Sequence, residues 1–240
     1  MIVVDCGRIA YEPALRLQHD LVAERTADRV DDVLVVCEHE PVYTAGRNAD
    51  ITANVIDSSR IPVVRVDRGG DVTYHGPGQV VIYPIIRLSG TRWVRNYIEA
   101  LQRACIAVAA EYEIAAHTTD GRPGVWVGNN KLAAIGVRIR QGATSHGLAF
   151  NVDPDLGHYA GIVPCGIVDA GVSSLASLGV TTTVERVGRQ LVDALSAMLA
   201  RPVIAWTTPT ALGIDLASAA AGRPDEPHLD YAGTVNRGSA

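Results

Sequence analysis

Three stretches of the chain place apolar residues at helical spacing, with charged residues on the intervening positions. Residues 13–31 and 92–112 show this pattern over several turns, and residues 182–199 show it a third time. The third stretch opens with Thr182 and Glu185, which have the spacing of a capping box at a helix N-terminus. The pattern therefore predicts three amphipathic helices, each of which packs its apolar face against the protein core.

Shorter apolar runs separate these stretches and predict the strands of a sheet. Residues 33–37 and 80–86 are almost continuously apolar, which is typical of strands buried on both faces. Residues 125–139 predict a β-hairpin that turns at Gly128, Asn129 and Asn130. The other predicted strands are residues 2–5, 61–66, 113–116 and 145–152.

Helices and strands follow one another without a regular βαβ rhythm. This order favours an α/β fold of the α+β type, in which a single domain builds a mixed β-sheet packed by helices. Residues 1–206 are predicted to form that domain. Residues 207–240 are rich in Ala, Gly, Pro, Ser and Thr without a lasting period, so we predict a low-complexity, flexible C-terminal tail. Residues 48–60 are predicted to be irregular, and residues 153–171 to form a long loop.

Composition narrows the function classes. The chain has 240 residues, is 48% hydrophobic and has a net charge of −5, which argues against general nucleic-acid binding. No apolar run is long enough to span a membrane, and the first residues do not have the pattern of a signal peptide. The four cysteines are far apart, which argues against a zinc knuckle and a disulfide scaffold and fits a cytoplasmic protein. We expect no metal and no cofactor.

Two residues stand out as candidates for chemistry. Lys131 is the single lysine among 21 basic residues, so an arginine-rich chain has kept one amine. An amine can give up its proton near neutral pH, whereas a guanidinium stays charged. Cys165 lies in the loop of residues 153–171, outside any apolar periodic segment, where a thiolate nucleophile is most accessible. Cys37 and Cys105 lie on apolar stretches and are predicted to be core residues.

A glycine-rich passage, RGGDVTYHGPGQ, spans residues 68–79. Glycines allow tight turns and close approach of the backbone to a ligand. The passage also carries Arg68, Thr73, His75 and Gln79, and it leads into the apolar strand of residues 80–86. We therefore predict that this loop forms one wall of a binding pocket.

These residues resemble a known family. The passage RGGDVTYHGPGQVVIY (68–83) is similar to the signature of the lipoate-biosynthetic octanoyltransferases. Three further blocks agree with this family in the same order: EHEPVYTAGR (38–47), KLAAIGVRI (131–139) with HGLAFNV (146–152), and PCGI (164–167). The resemblance covers roughly residues 1–200.

The resemblance implies a biotin/lipoyl protein ligase-like fold and makes residues 1–206 an acyltransferase domain. It implies that an octanoyl group passes from octanoyl-acyl carrier protein, through a thioester on Cys165, to a lysine ε-amine. The acceptors would be lipoyl domains of 2-oxo-acid dehydrogenase acyltransferase subunits and the glycine cleavage H protein. Lys131 would lower the pKa of the thiol and then accept a proton from the incoming amine. The implied acyl-pocket residues are Arg68, Gly69, Gly70, Asp71, Val72, Thr73, Tyr74, His75, Ala134, Ile135, Gly136, Gly147, Leu148 and Ala149.

Three other functions remain open at this point. A lipoate-protein ligase of the same fold would use ATP and would need no nucleophilic cysteine. A cysteine hydrolase would pair Cys165 with a histidine base, for which His39, His75, His146 and His158 are available. A non-catalytic protein that binds acyl carriers or lipoyl domains would keep the pocket without the chemistry.

Overall fold

A computed structural model of the chain describes residues 1–88, 93–163, 170–212 and 214. In these residues nine strands form a large mixed sheet, three strands form a small sheet, and four helices pack around them. The strands are β1 (Ile2–Ile9), β2 (Val33–His39), β3 (Val42–Ala45), β4 (Val63–Arg65), β5 (Val72–His75), β6 (Gln79–Ile85), β7 (His117–Thr119), β8 (Arg122–Val127), β9 (Asn130–Arg140), β10 (Ala143–Asn151), β11 (Gly171–Val172) and β12 (Ala205–Thr207). The helices are α1 (Tyr11–Thr26), α2 (Ile51–Asn54), α3 (Trp93–Glu111) and α4 (Val184–Leu199).

The large sheet runs in the order β12-β1-β2-β6-β10-β9-β8-β7, and β11 pairs with β9 outside this path. Strand β1 is parallel to both β2 and β12, whereas β2, β6, β10, β9, β8 and β7 pair antiparallel in turn. The small sheet has the order β4-β3-β5. This architecture confirms the predicted single domain with a mixed sheet packed by helices.

Both faces of the large sheet are covered, which explains the continuous apolar runs at its centre. On β6, Val80 and Ile82 pack into the cluster formed with α3 and α4, while Val81, Tyr83 and Ile85 pack into the cluster formed with α1. Strand β2 alternates in the same way between the two clusters. Cys37 is 3% exposed and Cys105 is 0% exposed, so both are core residues as predicted.

The third predicted helix is confirmed, but its predicted cap is wrong. The Thr183 hydroxyl accepts the Arg186 N–H at 3.2 Å, so Thr183 and not Thr182 is the N-cap of α4. Thr182 instead lies with its hydroxyl 3.1 Å from that of Tyr112. Thr182 and Thr183 are adjacent and either hydroxyl could cap a helix that begins here, so the sequence alone did not identify the N-cap.

Other boundaries differ for local reasons. Helix α1 ends at Thr26 and not near residue 31, because Asp28 takes a left-handed φ of 54° and Arg25 turns to pair with Asp32. The predicted strand at residues 113–116 does not form, since Glu113 reverses the chain with a φ of 60°. The predicted loop of residues 68–79 contains strand β5, which is paired with β3. Within the predicted irregular segment 48–60, Asp50 caps the short helix α2.

The boundary between domain and tail stays a prediction. Strand β12 extends to Thr207, which pairs with Val4, and residues 213 and 215–240 lie outside the described part of the chain. No helix within the described ranges combines the length and the apolar character that crossing a membrane requires.

Candidate active site

A cavity lies between the β6–β10–β9 part of the large sheet, the start of α1 and the segment of residues 68–75. Its empty volume, including the part open to solvent, is about 510 Å³. The residues that line it are Tyr11, Arg68, Gly70, Asp71, Thr73, His75, Val81, Tyr83, Pro123, Lys131, Ala134, Ile135, Gly136, His146, Gly147, Leu148 and Ala149.

Lys131 lies in the wall of this cavity and is only 6% exposed. Its Nζ atom is 4.8 Å from the centre of the Trp126 ring on β8, a cation–π distance. The lysine stem also passes Gly124 on β8, where a Cβ atom would be in ordinary contact with Cδ and Cε of Lys131 at 3.4 Å but would lie only 2.5 Å from the Ala133 carbonyl oxygen. The neighbouring strand therefore supplies the aromatic face against which this amine lies in the cavity wall.

A β-bulge turns Lys131 toward the cavity. Trp126 pairs with Lys131 but Val125 pairs with Ala133, so Leu132 is an extra residue on β9. As a result, the consecutive residues Leu132 and Ala133 both pack into the same core cluster. Regular alternation would place Lys131 and Ala134 on opposite faces of the strand, whereas the bulge lets both line the cavity.

Arg68 is held rigidly at another side of the cavity and is 7% exposed. One terminal nitrogen donates to the Thr44 carbonyl at 2.7 Å and to the Thr44 hydroxyl at 2.9 Å, and the other donates to the Gly69 carbonyl at 3.0 Å. Gly136 makes room for the arginine stem, because a Cβ atom there would lie 3.0 Å from Arg68 Cδ. Arg68 thus brings a fixed positive charge to a mostly apolar cavity.

A buried network of histidines and tyrosines lies beside the cavity. His39 Nδ1 is 2.9 Å from the Ile9 carbonyl, which can only accept, so this nitrogen carries the proton. His39 Nε2 then accepts from the Tyr83 hydroxyl at 2.6 Å, and the Tyr11 hydroxyl bonds in turn to that of Tyr83. Burial lowers the pKa of His39 to about 4. The imidazole is therefore neutral near physiological pH, and the Tyr83 proton is directed at it.

His75 is a second neutral imidazole, stacked on Tyr11 with ring centres 6.1 Å apart. Gln79 Nε2 lies within 3.2 Å of the Tyr74 carbonyl and 3.0 Å of the Asn151 side-chain oxygen, which fixes the orientation of its amide. Gln79 Oε1 therefore accepts from His75 Nδ1 at 3.3 Å. Burial, aided by His39 and Arg68, lowers the pKa of His75 well below its ordinary value. His75 Nε2 is left as a neutral acceptor.

His146 occupies the start of the cavity wall on β10 with a left-handed φ of 53°. Its Nε2 atom is 2.7 Å from Asp67 Oδ1, and Arg138 pairs with the other oxygen of that carboxylate. Burial, together with Arg68, lowers the pKa of His146 to about 3, although the nearby Asp67 charge acts in the opposite direction. Because Arg138 already pairs with Asp67, the ring is neutral and its Nε2–H donates to the carboxylate.

Twelve of the fifteen described residues in the predicted site line one cavity, although they come from three separate parts of the sequence. The other three lie just behind it. Gly69 donates its N–H to the Val137 carbonyl at 3.0 Å, and Val72 and Tyr74 pack into the core of the small sheet. Cys165 lies outside the described residues.

Five lining residues are absent from the predicted set: Tyr11, Val81, Tyr83, Pro123 and His146. Tyr11 precedes the first residue of the predicted helix, and Val81 and Tyr83 lie on a strand whose alternation alone did not reveal a cavity. Of the four histidines considered as bases, His75 and His146 line the cavity. His39 lies behind the cavity wall, where it is hydrogen-bonded to the Tyr83 hydroxyl. His158 is hydrogen-bonded to the Tyr74 hydroxyl at 2.8 Å.

Known proteins place the chain in a family. Residues 10–196 match the model of the lipoyl protein ligase A/B catalytic domain. The octanoyltransferase of Alkaliphilus metalliredigens is 44% identical over 184 residues, which cover 73% of this chain and 84% of that protein.

Two solved structures show the same fold. One is a bi-partite lipoate protein ligase of Thermoplasma acidophilum, studied with its E2 lipoyl domain, with a TM-score of 0.66, 14% identity, and coverage of 92% of this chain and 91% of that one. The other is the biotin protein ligase of Aquifex aeolicus, with a TM-score of 0.51, 10% identity, and coverage of 84% and 69%. The predicted biotin/lipoyl ligase-like fold is thus confirmed. The chain therefore belongs to the lipoyl protein ligase A/B catalytic-domain family and, within it, to the octanoyltransferases, which are acyltransferases.

Proposed function

We propose that this enzyme moves an octanoyl group from octanoyl-acyl carrier protein to the ε-amine of a lysine on lipoyl domains, including those of 2-oxo-acid dehydrogenase acyltransferase subunits and the glycine cleavage H protein. The observation that carries the proposal is the buried amine of Lys131 in the wall of a largely apolar cavity. An apolar cavity suits an eight-carbon chain, and an amine beside it suits proton transfer during acyl exchange.

The reaction takes place in two acyl transfers. In the first, the Cys165 thiolate attacks the thioester carbonyl of the donor and the carbon–sulfur bond to the carrier breaks. The carrier sulfur leaves as a thiolate, which then takes up a proton from solvent. In the second, the acceptor amine attacks the acyl-Cys165 carbonyl, the Cys165 sulfur leaves as a thiolate, and Lys131 takes the proton lost by the amine. Exchange between thioesters changes little in bond energy, so one difficult step becomes two easier ones.

The other cysteines support the choice of Cys165 as nucleophile. Burial raises the pKa of Cys6 to about 12 and that of Cys105 to about 12, and it raises the pKa of Cys37 well above its ordinary value. None of these three thiols supplies a useful fraction of thiolate near neutral pH. Nor does any of them line the cavity that contains Lys131.

The glycine-rich segment and the paired strands give the pocket its shape. Arg68 and the paired segments Ala134–Gly136 and Gly147–Ala149 all line the cavity. Backbone N–H groups of the segments that line the pocket, residues 68–75 among them, are the donors that we assign to the oxyanion of each tetrahedral intermediate. Gly136, which pairs with Gly147 on β10, lets the arginine stem approach the sheet, whereas Gly147 lies close to Ile82 and Pro84 on β6.

Intact-mass measurement after mixing the enzyme with octanoyl-acyl carrier protein tests the proposal. We expect one octanoyl adduct on the wild type, its loss when a lipoyl domain is added, and no adduct on Cys165→Ala. Cys6→Ala is the matched control, because it removes a thiol outside the cavity, and it should keep the adduct.

Each alternative gives a different outcome in the same experiment. A ligase would form no adduct and would modify the lipoyl domain only with ATP and a free acid. A hydrolase would show a transient adduct that decays equally fast without the lipoyl domain. A binding protein would show no adduct and no product. An adduct that persists on Cys165→Ala would overturn the assigned nucleophile.

A further inference from the structure

The segment that contains Cys165 is anchored on both sides. Val163, which comes two residues before the cysteine, donates its N–H to the Asn54 carbonyl at 2.9 Å. After the cysteine, strand β11 pairs with β9, and the N–H of Ser173 donates to the Lys131 carbonyl at 2.9 Å. Two anchors on described residues thus flank the proposed nucleophile, and the second of them is the backbone of Lys131 itself.

The first anchor is a short ladder at the end of α2. Val55 and Ile162 form an antiparallel bridge, and both side chains pack in the core of the small sheet. The Gly161 carbonyl also accepts the Ile56 N–H at 2.8 Å. The backbone before the cysteine is therefore fixed against the end of α2.

Asn54 connects this ladder to the cavity. Its backbone carbonyl accepts the Val163 N–H, while its side-chain Nδ2 donates to Asp71 Oδ2 at 2.6 Å. An ionised carboxylate only accepts, which fixes the orientation of the amide. Asp71 lines the cavity, and its other carboxylate oxygen accepts the Val72 N–H at 2.7 Å. One residue thus binds the segment before Cys165 and a residue of the cavity wall at the same time.

We propose that Asn54 is a positioning residue, which holds the segment that contains Cys165 beside the cavity through its bond to Asp71. The inference rests on the proposed function in one respect, namely that Cys165 is the nucleophile. A chain advances by at most about 3.6 Å per residue, so an anchor at Val163 restricts the positions open to a residue two places later. Displacement of a reacting group by about 1 Å can lower a rate by about 10²-fold.

The chemistry of the pair allows an exchange of the two groups. Both donors to the Asp71 side chain, Asn54 Nδ2 and the Val72 N–H, are uncharged. The bond therefore needs one amide and one carboxylate, and either residue can carry either group. In the double variant Asn54→Asp/Asp71→Asn, the amide at position 71 can donate to the carboxylate at position 54, and its oxygen can still accept the Val72 N–H.

The test measures how fast octanoyl-acyl carrier protein forms the Cys165 adduct. Asn54→Ala removes the bond and Asn54→Asp brings two carboxylates together, so we expect each to slow adduct formation about 10-fold or more. The double variant should recover to within about threefold of the wild type. Iodoacetamide, a small reagent that needs no alignment with the cavity, should alkylate Cys165 of Asn54→Ala within about twofold of the wild-type rate.

Asp57→Asn is the matched control. Its side chain accepts the Ser59 N–H at 2.8 Å, within its own turn, so this variant should form the adduct at the wild-type rate. Wild-type rates in Asn54→Ala and Asn54→Asp would overturn the inference, as would a double variant no faster than Asn54→Asp. Equal losses of acylation and alkylation in Asn54→Ala would also overturn it, because a merely structural role affects both.

Hydrogen exchange separates this inference from the proposed function, since it needs no substrate. The Val163 amide should exchange faster in Asn54→Ala than in the wild type, and at the wild-type rate in the double variant. If the wild type forms no adduct, the proposed function fails, but the anchor is still read from these rates. Unchanged exchange at Val163 in Asn54→Ala, in an enzyme that does form the adduct, would defeat the role of Asn54 alone.

Discussion

The Nζ atom of Lys131 lies 4.8 Å from the centre of the ring of Trp126, its partner on the neighbouring strand. Arg122 approaches the same ring, with its guanidinium carbon 6.0 Å from the centre. The ring thus has one cation in the cavity and another outside the set of lining residues. This pair gives a matched test of what the lysine does.

For Lys131→Arg we expect a folded enzyme that forms the Cys165 adduct but discharges it slowly. Arginine keeps the positive charge but cannot accept a proton near neutral pH, and lost general-base assistance typically lowers a rate by about 10²–10⁴-fold. Single-turnover mass spectrometry with and without a lipoyl domain measures this discharge. Arg122→Ala, which removes the outer cation, should discharge nearly as fast as the wild type. A Lys131→Arg enzyme that discharges at the wild-type rate would show that the amine has no role as a base.

Gly136→Ala should impair the site through Arg68. The new Cβ atom would lie 3.0 Å from Arg68 Cδ and 3.2 Å from the Gly69 carbonyl oxygen, so the arginine stem or the loop must shift. We expect a loss of about 1–3 kcal/mol in unfolding free energy, as for other overpacked sites, and a lower kcat/KM for the octanoyl donor. Urea unfolding and steady-state kinetics measure the two effects.

Gly188→Ala provides the opposite case. Gly188 lies inside α4, and a Cβ atom there would make ordinary contacts with Val80 at 3.7 Å and Val36 at 3.8 Å. Alanine loses less conformational entropy than glycine when the helix folds, so the substitution should stabilise the protein by about 0.5–1 kcal/mol without changing activity. If Gly136→Ala were as harmless as Gly188→Ala, the close packing around Arg68 would not matter for function.

The buried histidines predict a loss of stability in mild acid. In the unfolded chain a histidine takes up its proton near pH 6.5, whereas folded His39 does so only near pH 4. Between these values the unfolded state binds more protons, so the unfolding free energy falls as pH decreases from 6.5 to 4 and levels off below. His39 alone contributes a loss of about 3 kcal/mol across this window. His75 and His146 act in the same direction.

Urea unfolding at several pH values between 4 and 7.5 measures this slope. His39→Gln removes one of the titrating groups, so its unfolding free energy should depend less steeply on pH than that of the wild type. Equal slopes for wild type and His39→Gln would contradict the neutral, buried state of this ring.

The cap of α4 is open to a direct comparison of two adjacent threonines. Thr183→Ala removes the hydroxyl that accepts the Arg186 N–H and should cost about 1 kcal/mol of unfolding free energy. Thr182→Ala removes only a contact with the Tyr112 hydroxyl, which retains Gln190 as a partner at 2.6 Å, so it should cost less. The reverse order, measured by thermal unfolding, would restore the capping box predicted from the sequence.

The sequence predicted the sheet and the pocket where local chemistry determines them. Strands β2 and β6 were predicted because a continuous apolar run is typical of a strand that is buried on both faces. The segments that line the cavity were predicted because their glycines allow close packing of the backbone against side chains. Lys131 was identified because it is the single lysine in a chain whose other basic residues are arginines. In these cases the residue types alone limit the possible structure.

Other features depend on contacts that sequence periodicity does not carry. The bulge at Leu132 shifts the alternation of β9, so counting residues from Ala134 would have placed Lys131 on the opposite face. His146 takes a left-handed conformation that only its contacts with Gln18 and Asp67 explain. Tyr11 reaches the cavity from the first turn of α1, although the apolar stripe suggested a later start for that helix.

Because β1 pairs in parallel with β12, this edge of the sheet can be completed only after residues 205–207 have been synthesised. Residues 2–4 lie beside residues 205–207, and the Met1 carbonyl accepts the Ile204 N–H at 2.9 Å. On the ribosome, β1 can pair with β2 early, but its other edge keeps unpaired N–H and C=O groups until β12 emerges. Such an edge is a template for pairing with another chain. Protection of nascent chains from aggregation is therefore most needed before residue 205 has been made.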